Sequence, residues 1–204
     1  LKTSVVSVKG ALGALGGALA VRQLTRFGQQ ALTTAESIAD VSKQAGISAE
    51  RLQGLREAFD QNGSSAQKAD EALIKFQRRI GLAADEEGAA SKAVERFNIA
   101  LEDSAGQARA TGDVLDDVID VISNLESSSE RAGVASRFFG DRVGPQIAPL
   151  LAQGSDAINE YIERLQDLGL AFSDDVVNAA AEASASLRQL RGDLTRAFQI
   201  GLLE

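Results

Sequence analysis

Cysteine, histidine, methionine and tryptophan are all missing from this 204-residue chain, and each absence removes a class of chemistry. Without histidine or cysteine there is no zinc site of the usual structural ligands and no thiol nucleophile. Ser-His-Asp catalysis goes with the missing base. Only carboxylates remain as metal ligands. The lack of cysteine frees the fold from any dependence on oxidation and says little about compartment. With no methionine, Leu1 reads as the start of a trimmed, processed or fragmentary product. Proline occurs twice, at Pro145 and Pro149, and aromatics make up 4%. That is a thin apolar supply for a compact core, and it suits helices packed through small side chains.

What is present is unevenly charged. The net charge is −8. Residues 1–35 carry Lys2, Lys9, Arg22 and Arg26 without an acid, a balance of +4. Residues 36–84 hold seven acids and seven bases. Residues 85–130 set twelve acids against Lys92, Arg96 and Arg109, a balance of −9, and residues 131–204 come to −3. An acidic chain repels phosphates and makes a poor generic DNA binder. The basic start and acidic middle suit ordered, head-to-tail assembly.

The apolar period is helical nearly throughout. One stripe runs through Leu12, Leu15, Leu19, Leu24, Phe27, Ala31, Ala35 and Ile38, and others through Leu73, Phe76 and Ile80, through Leu115, Val118, Ile119, Ile122 and Leu125, and through Ile158, Tyr161, Ile162, Leu165 and Leu168. In the last segment Val176, Ala180, Ala183, Leu187, Leu190, Leu194 and Ala197 step by four and three, a heptad-like seam that favours a partner helix. No alternating strand pattern occurs.

Local punctuation sets the boundaries. Gly46 suits the left-handed end of a helix, Ser48 caps the next, and Ile47 and Leu52 hold staple positions. Gly169, Ser173, Phe172 and Val177 repeat the arrangement, with Asp174 and Asp175 in the first turn, where the helix dipole favours them. Asn62-Gly63-Ser64-Ser65 and Gly154-Ser155 are further breaks. Helices are expected near residues 3–45, 48–61, 65–80, 89–103, 112–126, 129–139, 146–152, 155–168 and 174–202. The expected architecture is all-α, an elongated multi-helix chain without sheet. It divides into a Gly/Ala-rich N-terminal helix (1–46), a central helical region with an acidic middle (47–154) and C-terminal helices with a coiled-coil-like seam (155–204).

Residues 10–21, GALGALGGALAV, are uncharged. Twelve residues are too few for a bilayer span, which needs about 20. Close helix packing, a membrane-active segment and a secretion-signal remnant all fit this run. The unbroken helical stripe and the small-xxx-small pair Gly13 and Gly17 favour close packing. The expected helix-packing positions are therefore Gly13, Gly17, Leu187, Leu190 and Leu194.

No catalytic site assembles. Asp116, Asp117 and Asp120 read as a solvated face opposite the Leu115/Val118/Ile122 stripe, with no calcium-loop spacing. The glycines lack the G-K-[ST] ending and the preceding strand of a phosphate loop. Arg188, Arg191 and Arg196 read as a mixed surface, and Phe138-Phe139 as a core pair. No enzyme activity, metal or cofactor is expected.

Residues 45–83, AGISAERLQGLREAFDQNGSSAQKADEALIKFQRRIGLA, resemble a segment of phage tail tape measure proteins. The matching features are a G-[IL]-S-x-E-x-L-Q-x-L cap (Gly46, Ile47, Ser48, Glu50, Leu52, Gln53, Leu55), an N/S-G-S-S break and an amphipathic helix. A second landmark resembles the same family: an aromatic-Phe-Gly helix end (Phe138, Phe139, Gly140) leading to PLL-x-x-G (Pro149, Leu150, Leu151, Gly154). The DLGLAFSDDVVNAA stretch follows in the same order, and the likeness covers roughly residues 40–200. It implies a structural protein of the virion tail, assembled in the host cytoplasm. Such a protein occupies the tube lumen, sets tail length and leaves before DNA passes. It implies the tail tube protein and distal tail proteins as partners, and self-association as a small homo-oligomer, by preference a trimer. It implies no specific nucleic-acid binding, and transient membrane contact during ejection. Family members are usually far longer, whereas 204 fully helical residues span at most about 300 Å, so a fragment or the short form of a phage-like gene transfer agent is expected. The alternatives are a membrane-active helical protein forming a channel for DNA, and a cellular helical scaffold unrelated to phage.

Overall fold

The computed structural model describes residues 17–201, with side chains over 30–193 and at Thr195 and Arg196. The described residues are all-α: α1 (Gly17–Ala45), α2 (Ala49–Gln61), α3 (Ala66–Ala84), α4 (Gly88–Phe97), α5 (Thr111–Ser123), α6 (Ser128–Phe139), α7 (Gly144–Leu151), α8 (Ser155–Asp167) and α9 (Asp174–Gly201). The one strand-like feature among them is an isolated antiparallel bridge, Glu102 to Ala108.

Most boundaries follow the punctuation, and two differ. The helix expected to stop at residue 80 runs on to Ala84. The helix expected to reach residue 103 stops at Phe97. Asn98 there takes a left-handed φ of 51°, which Asn tolerates better than most residues. Ile99 is buried and donates its N–H to the Val94 carbonyl at 3.0 Å, closing a Schellman-type end.

By internal contacts the chain forms two units, Ile38–Val177 and the pair of terminal segments Leu1–Ser37 with Asn178–Glu204. The central unit corrects the expectation of too thin an apolar supply. Its core is dense because small residues let helices approach. Ala49, Ala58, Ala69, Ala72, Ala90, Ala93 and Ala135 are fully buried, so a few large side chains fill the remaining volume. Leu52, Leu55 and Phe59 of α2 face inward, as do Leu73 and Phe76 of α3 and Val114, Leu115, Val118, Ile119 and Ile122 of α5. Phe76 stacks on Phe139 with ring centres 5.3 Å apart, and Phe138 tilts against it at 6.2 Å. Phe138-Phe139 is thus the core pair its sequence suggested.

The turn after that pair is a tight hairpin in which α6 and α7 pack together. Gly140 ends α6 at φ +94°. Arg79 Nη1 donates to the carbonyls of Ser136 and Arg137 at 2.5 and 2.6 Å, placing a cation at the negative end of α6. Gly144 starts α7 and is pressed onto the backbone of Ala135 and Ser136: a Cβ at this position would lie 2.5 Å from Ser136 N.

Within the terminal unit, Ala35 is buried. Glu36 Oε1 accepts from Arg188 Nη1 at 2.5 Å and Oε2 from the Ser184 hydroxyl at 3.0 Å. Those two hydrogen bonds, Arg188 first, hold the Glu36 carboxyl below the usual glutamate range.

Candidate functional site

The α1–α2 turn and α2 carry the most specific sequence pattern, and each of its residues has a distinct task. Gly46 adopts φ +66° and faces the Thr111 hydroxyl. Ile47 donates its N–H to the Ser42 carbonyl at 3.2 Å and is buried. Ser48 Oγ accepts from the Arg51 N–H. Leu52 and Leu55 enter the core. Gly54 is obligatory for contact with α8, because a Cβ there would run into the Ile162 side chain and lie 3.1 Å from Ile162 Cα.

Gln53 supplies the contact that the sequence did not reveal. Its Oε1 accepts the Phe172 N–H at 3.0 Å, and its Nε2 donates to the Phe172 carbonyl at 2.8 Å and to the Ala49 carbonyl at 2.9 Å. The side-chain amide therefore pairs with the backbone of Phe172 as a neighbouring strand would. Beside it, Asp174 Oδ1 accepts the Ala49 N–H at 2.7 Å, satisfying an orphan donor of the α2 N-terminus from 125 residues away. Together these bonds clasp residues 169–174 onto α2. The clasped strap begins at Gly169, whose φ of +64° ends α8, and the Leu170 N–H closes that end on the Leu165 carbonyl at 2.9 Å.

The strap's backbone is tied down while its apolar side chains are not covered. Leu168 is 63% exposed, Leu170 60% and Phe172 40%. Val177 is buried, so of the two expected staple residues only Val177 joins the core.

The acidic face of α5 is a correction. It is not simply solvated, because its carboxylates brace the unit. Asp116 pairs with Arg51. Asp117 accepts from Arg109 at 2.6 Å, which raises the Arg109 pKa. Asp120 Oδ1 accepts the Ser155 N–H at 3.0 Å. Burial pushes the Asp116 carboxyl upward, with Asp120 and Asp113 adding to it, against the opposing pull of Arg51. The spacing of bases elsewhere in the chain could not announce these pairs, because Arg51 and Asp116 are 65 residues apart. An open groove of about 450 Å³ beside α5 is lined by Phe97, Asn98, Asp117 and Asp120, among others. Its two acids are already engaged, which leaves no free acid–base pair in it.

Of the expected packing positions, Leu187 and Leu190 stand on α9 in the terminal unit, 56% and 57% exposed. Leu187 lines a shallow groove with Leu32, Glu36 and Arg191. Gly17 is the first residue of α1. Gly13 lies outside the described residues, and so does the side chain of Leu194. Among the described residues no helix is long and apolar enough to cross a membrane.

The matched span of a family model includes both the cap motif and the Phe138-Phe139-Gly140 landmark. That model, described as phage-related minor tail protein, matches residues 12–140. No curated protein and no solved structure matches.

Proposed function

The chain belongs to the phage-related minor tail protein family, a structural protein of the phage tail, and from that premise we propose that it is a tail-length-determining protein held in the tube lumen. In this reading it is assembled in the host cytoplasm with the tail tube protein and distal tail proteins. It self-associates as a small homo-oligomer, a trimer in our proposal, and leaves before DNA passes. It does not read nucleic-acid sequence. Residues 10–21 touch the target membrane transiently during ejection. The particle is a short-tailed form such as a phage-like gene transfer agent. The observation that supports the reading is the family match over residues 12–140, which hold the cap motif and the Phe138-Phe139-Gly140 helix end in their order.

The two units divide the task. A helix extends about 1.5 Å per residue, so the 28 residues of α9 reach about 42 Å. A compact unit the size of residues 38–177 has a radius of gyration of about 14 Å, so each of its residues adds little length. Length is therefore set by the helices that continue outside the central unit, and the central unit serves as a folded module on the ruler.

Paired insertions test this. Two heptads added in α9 at residues 187–194 keep the seam in phase and should lengthen the tail by up to about 21 Å per insertion. Fourteen Gly/Ser residues added at Gly63, an exposed turn with open space around it, should leave tail length unchanged. Tails measured by electron microscopy that ignore both insertions remove the ruler role, and tails that respond equally to both remove the division between units.

A further inference from the structure

A solvent-facing loop ordinarily shows its polar backbone and hides its apolar side chains. The strap over residues 169–174, with Leu168 at the helix end before it, does the reverse. Gln53 engages both polar groups of the Phe172 backbone and Asp174 an N–H of the α2 end beneath it, while Leu168, Leu170 and Phe172 stay exposed. A surface held in one conformation by its own hydrogen bonds gives up little entropy on binding. The sequence around it is acidic: residues 160–175 hold Glu160, Glu163, Asp167, Asp174 and Asp175 against Arg164, a balance of −4.

The chain itself contains a segment of the opposite kind. Residues 1–35 carry +4 with no acid, and within them residues 10–21 are uncharged and rich in Leu, Ala and Gly. An apolar run with basic flanks matches an apolar strap with acidic flanks in both hydrophobicity and sign of charge. We propose that the strap at Leu168, Leu170 and Phe172 is the docking surface for the N-terminal segment of a second copy of this chain. The contact is heterologous, one end of a copy on a different surface of the next, so it closes into a ring where the rotation permits and otherwise propagates. A closed three-fold ring is the form that agrees with the trimer proposed above, and the inference rests on the self-association in that proposal rather than on the length-setting role.

The absence of cysteine makes the test clean. Single variants Leu170→Cys and Leu15→Cys of the full chain are mixed and treated with a short bis-maleimide. Cross-linked dimer should be several-fold more abundant in the mixture than in either variant alone. Lys2→Glu with Lys9→Glu in the Leu15→Cys chain should lower the yield, and Glu163→Lys with Asp167→Lys in the Leu170→Cys chain should restore it. Equal cross-linking of Leu170→Cys with itself overturns the proposal in favour of a symmetric contact. A chain carrying both cysteines that gives only an intramolecular product overturns it in favour of self-docking. Loss of flotation on anionic vesicles by Leu168→Ser with Leu170→Ser, with no mixed dimer formed, overturns it in favour of a lipid surface. An oligomeric parent without the mixed product refutes this contact alone, whereas a parent that light scattering finds monomeric at every concentration refutes the self-association beneath it.

Discussion

Substituting alanine for the glycine that opens α7 adds one methyl group at the tightest point of the α6–α7 hairpin. The new Cβ of Gly144→Ala would sit 2.5 Å from Ser136 N and 2.6 Å from both Ala135 C and Ser136 Cα. All three are backbone atoms of α6, so no side-chain rotation relieves the contact. Either α7 moves outward or α6 bends. Each response disturbs the packing of Phe138, Phe139, Ile147 and Leu151, which are all buried. Overpacking of this kind costs about 1–3 kcal/mol, and rigid neighbours put it at the upper end. A cost of about 3 kcal/mol lowers the melting temperature by roughly 6–12 °C for a chain of this size. The internal control is Gly133→Ala on the same hairpin. Gly133 lies mid-helix in α6, exposed, with nothing within 4 Å of its added Cβ. There the substitution only improves helix propensity, by about 1 kcal/mol, and should raise the melting temperature by roughly 2–4 °C. Thermal denaturation followed by circular dichroism reads both. A Gly144→Ala variant that melts at or above the parent would refute the close approach of α7 to α6.

Further outcomes follow from the clasp, from the terminal unit and from α5. Gln53→Ala frees both polar groups of the Phe172 backbone and should cost about 1–2 kcal/mol, since the site is partly wet. Amide exchange at Phe172 should accelerate, and unchanged protection there would show that Gln53 does not hold the strap. The Glu36 carboxyl titrates below its ordinary value because of Arg188 and Ser184, so its contribution is present above the unfolded glutamate pKa and lost as pH falls through the lower folded value. A carbon-detected NMR titration should place its midpoint below that of a free glutamate and move it upward in Arg188→Gln, with the Ser184 bond remaining; the same midpoint in both proteins would rule out the Arg188 pair as a cause. Asp116 carries the opposite sign: burial raises its folded pKa, so falling pH relieves rather than weakens that site.

The helix order was legible because its signals are local. A left-handed glycine at Gly46 followed by the Ser48 cap, or Gly169 followed by Ser173, specifies an end and a beginning within four residues. The break at Asn98 was missed because its conformation is a weak preference of asparagine, without the certainty that glycine provides. The clasp was beyond reach for a different reason. Gln53 belongs to a recognisable motif, yet its partner Phe172 is 119 residues away, and nothing in either neighbourhood encodes the pairing. The α5 carboxylates failed in the same way, since charge periodicity cannot tell a solvated acid from one whose arginine arrives from another helix. Packing through small side chains was legible in the composition, and the buried alanines carry it; that they close a compact core with so few large residues was not.

The clasp also sets a clock during synthesis. Ala49 and Asp174 are joined across 125 residues, and at 5–20 residues per second a ribosome needs roughly 6–25 s to make the second after the first. Through that interval α2 is already made, but the Ile162 that fills the notch at Gly54 and the Phe172 that occupies Gln53 do not yet exist. The central unit is therefore obliged to wait for its last residues. Meanwhile its open α2 face is exposed to neighbouring nascent chains on the same message.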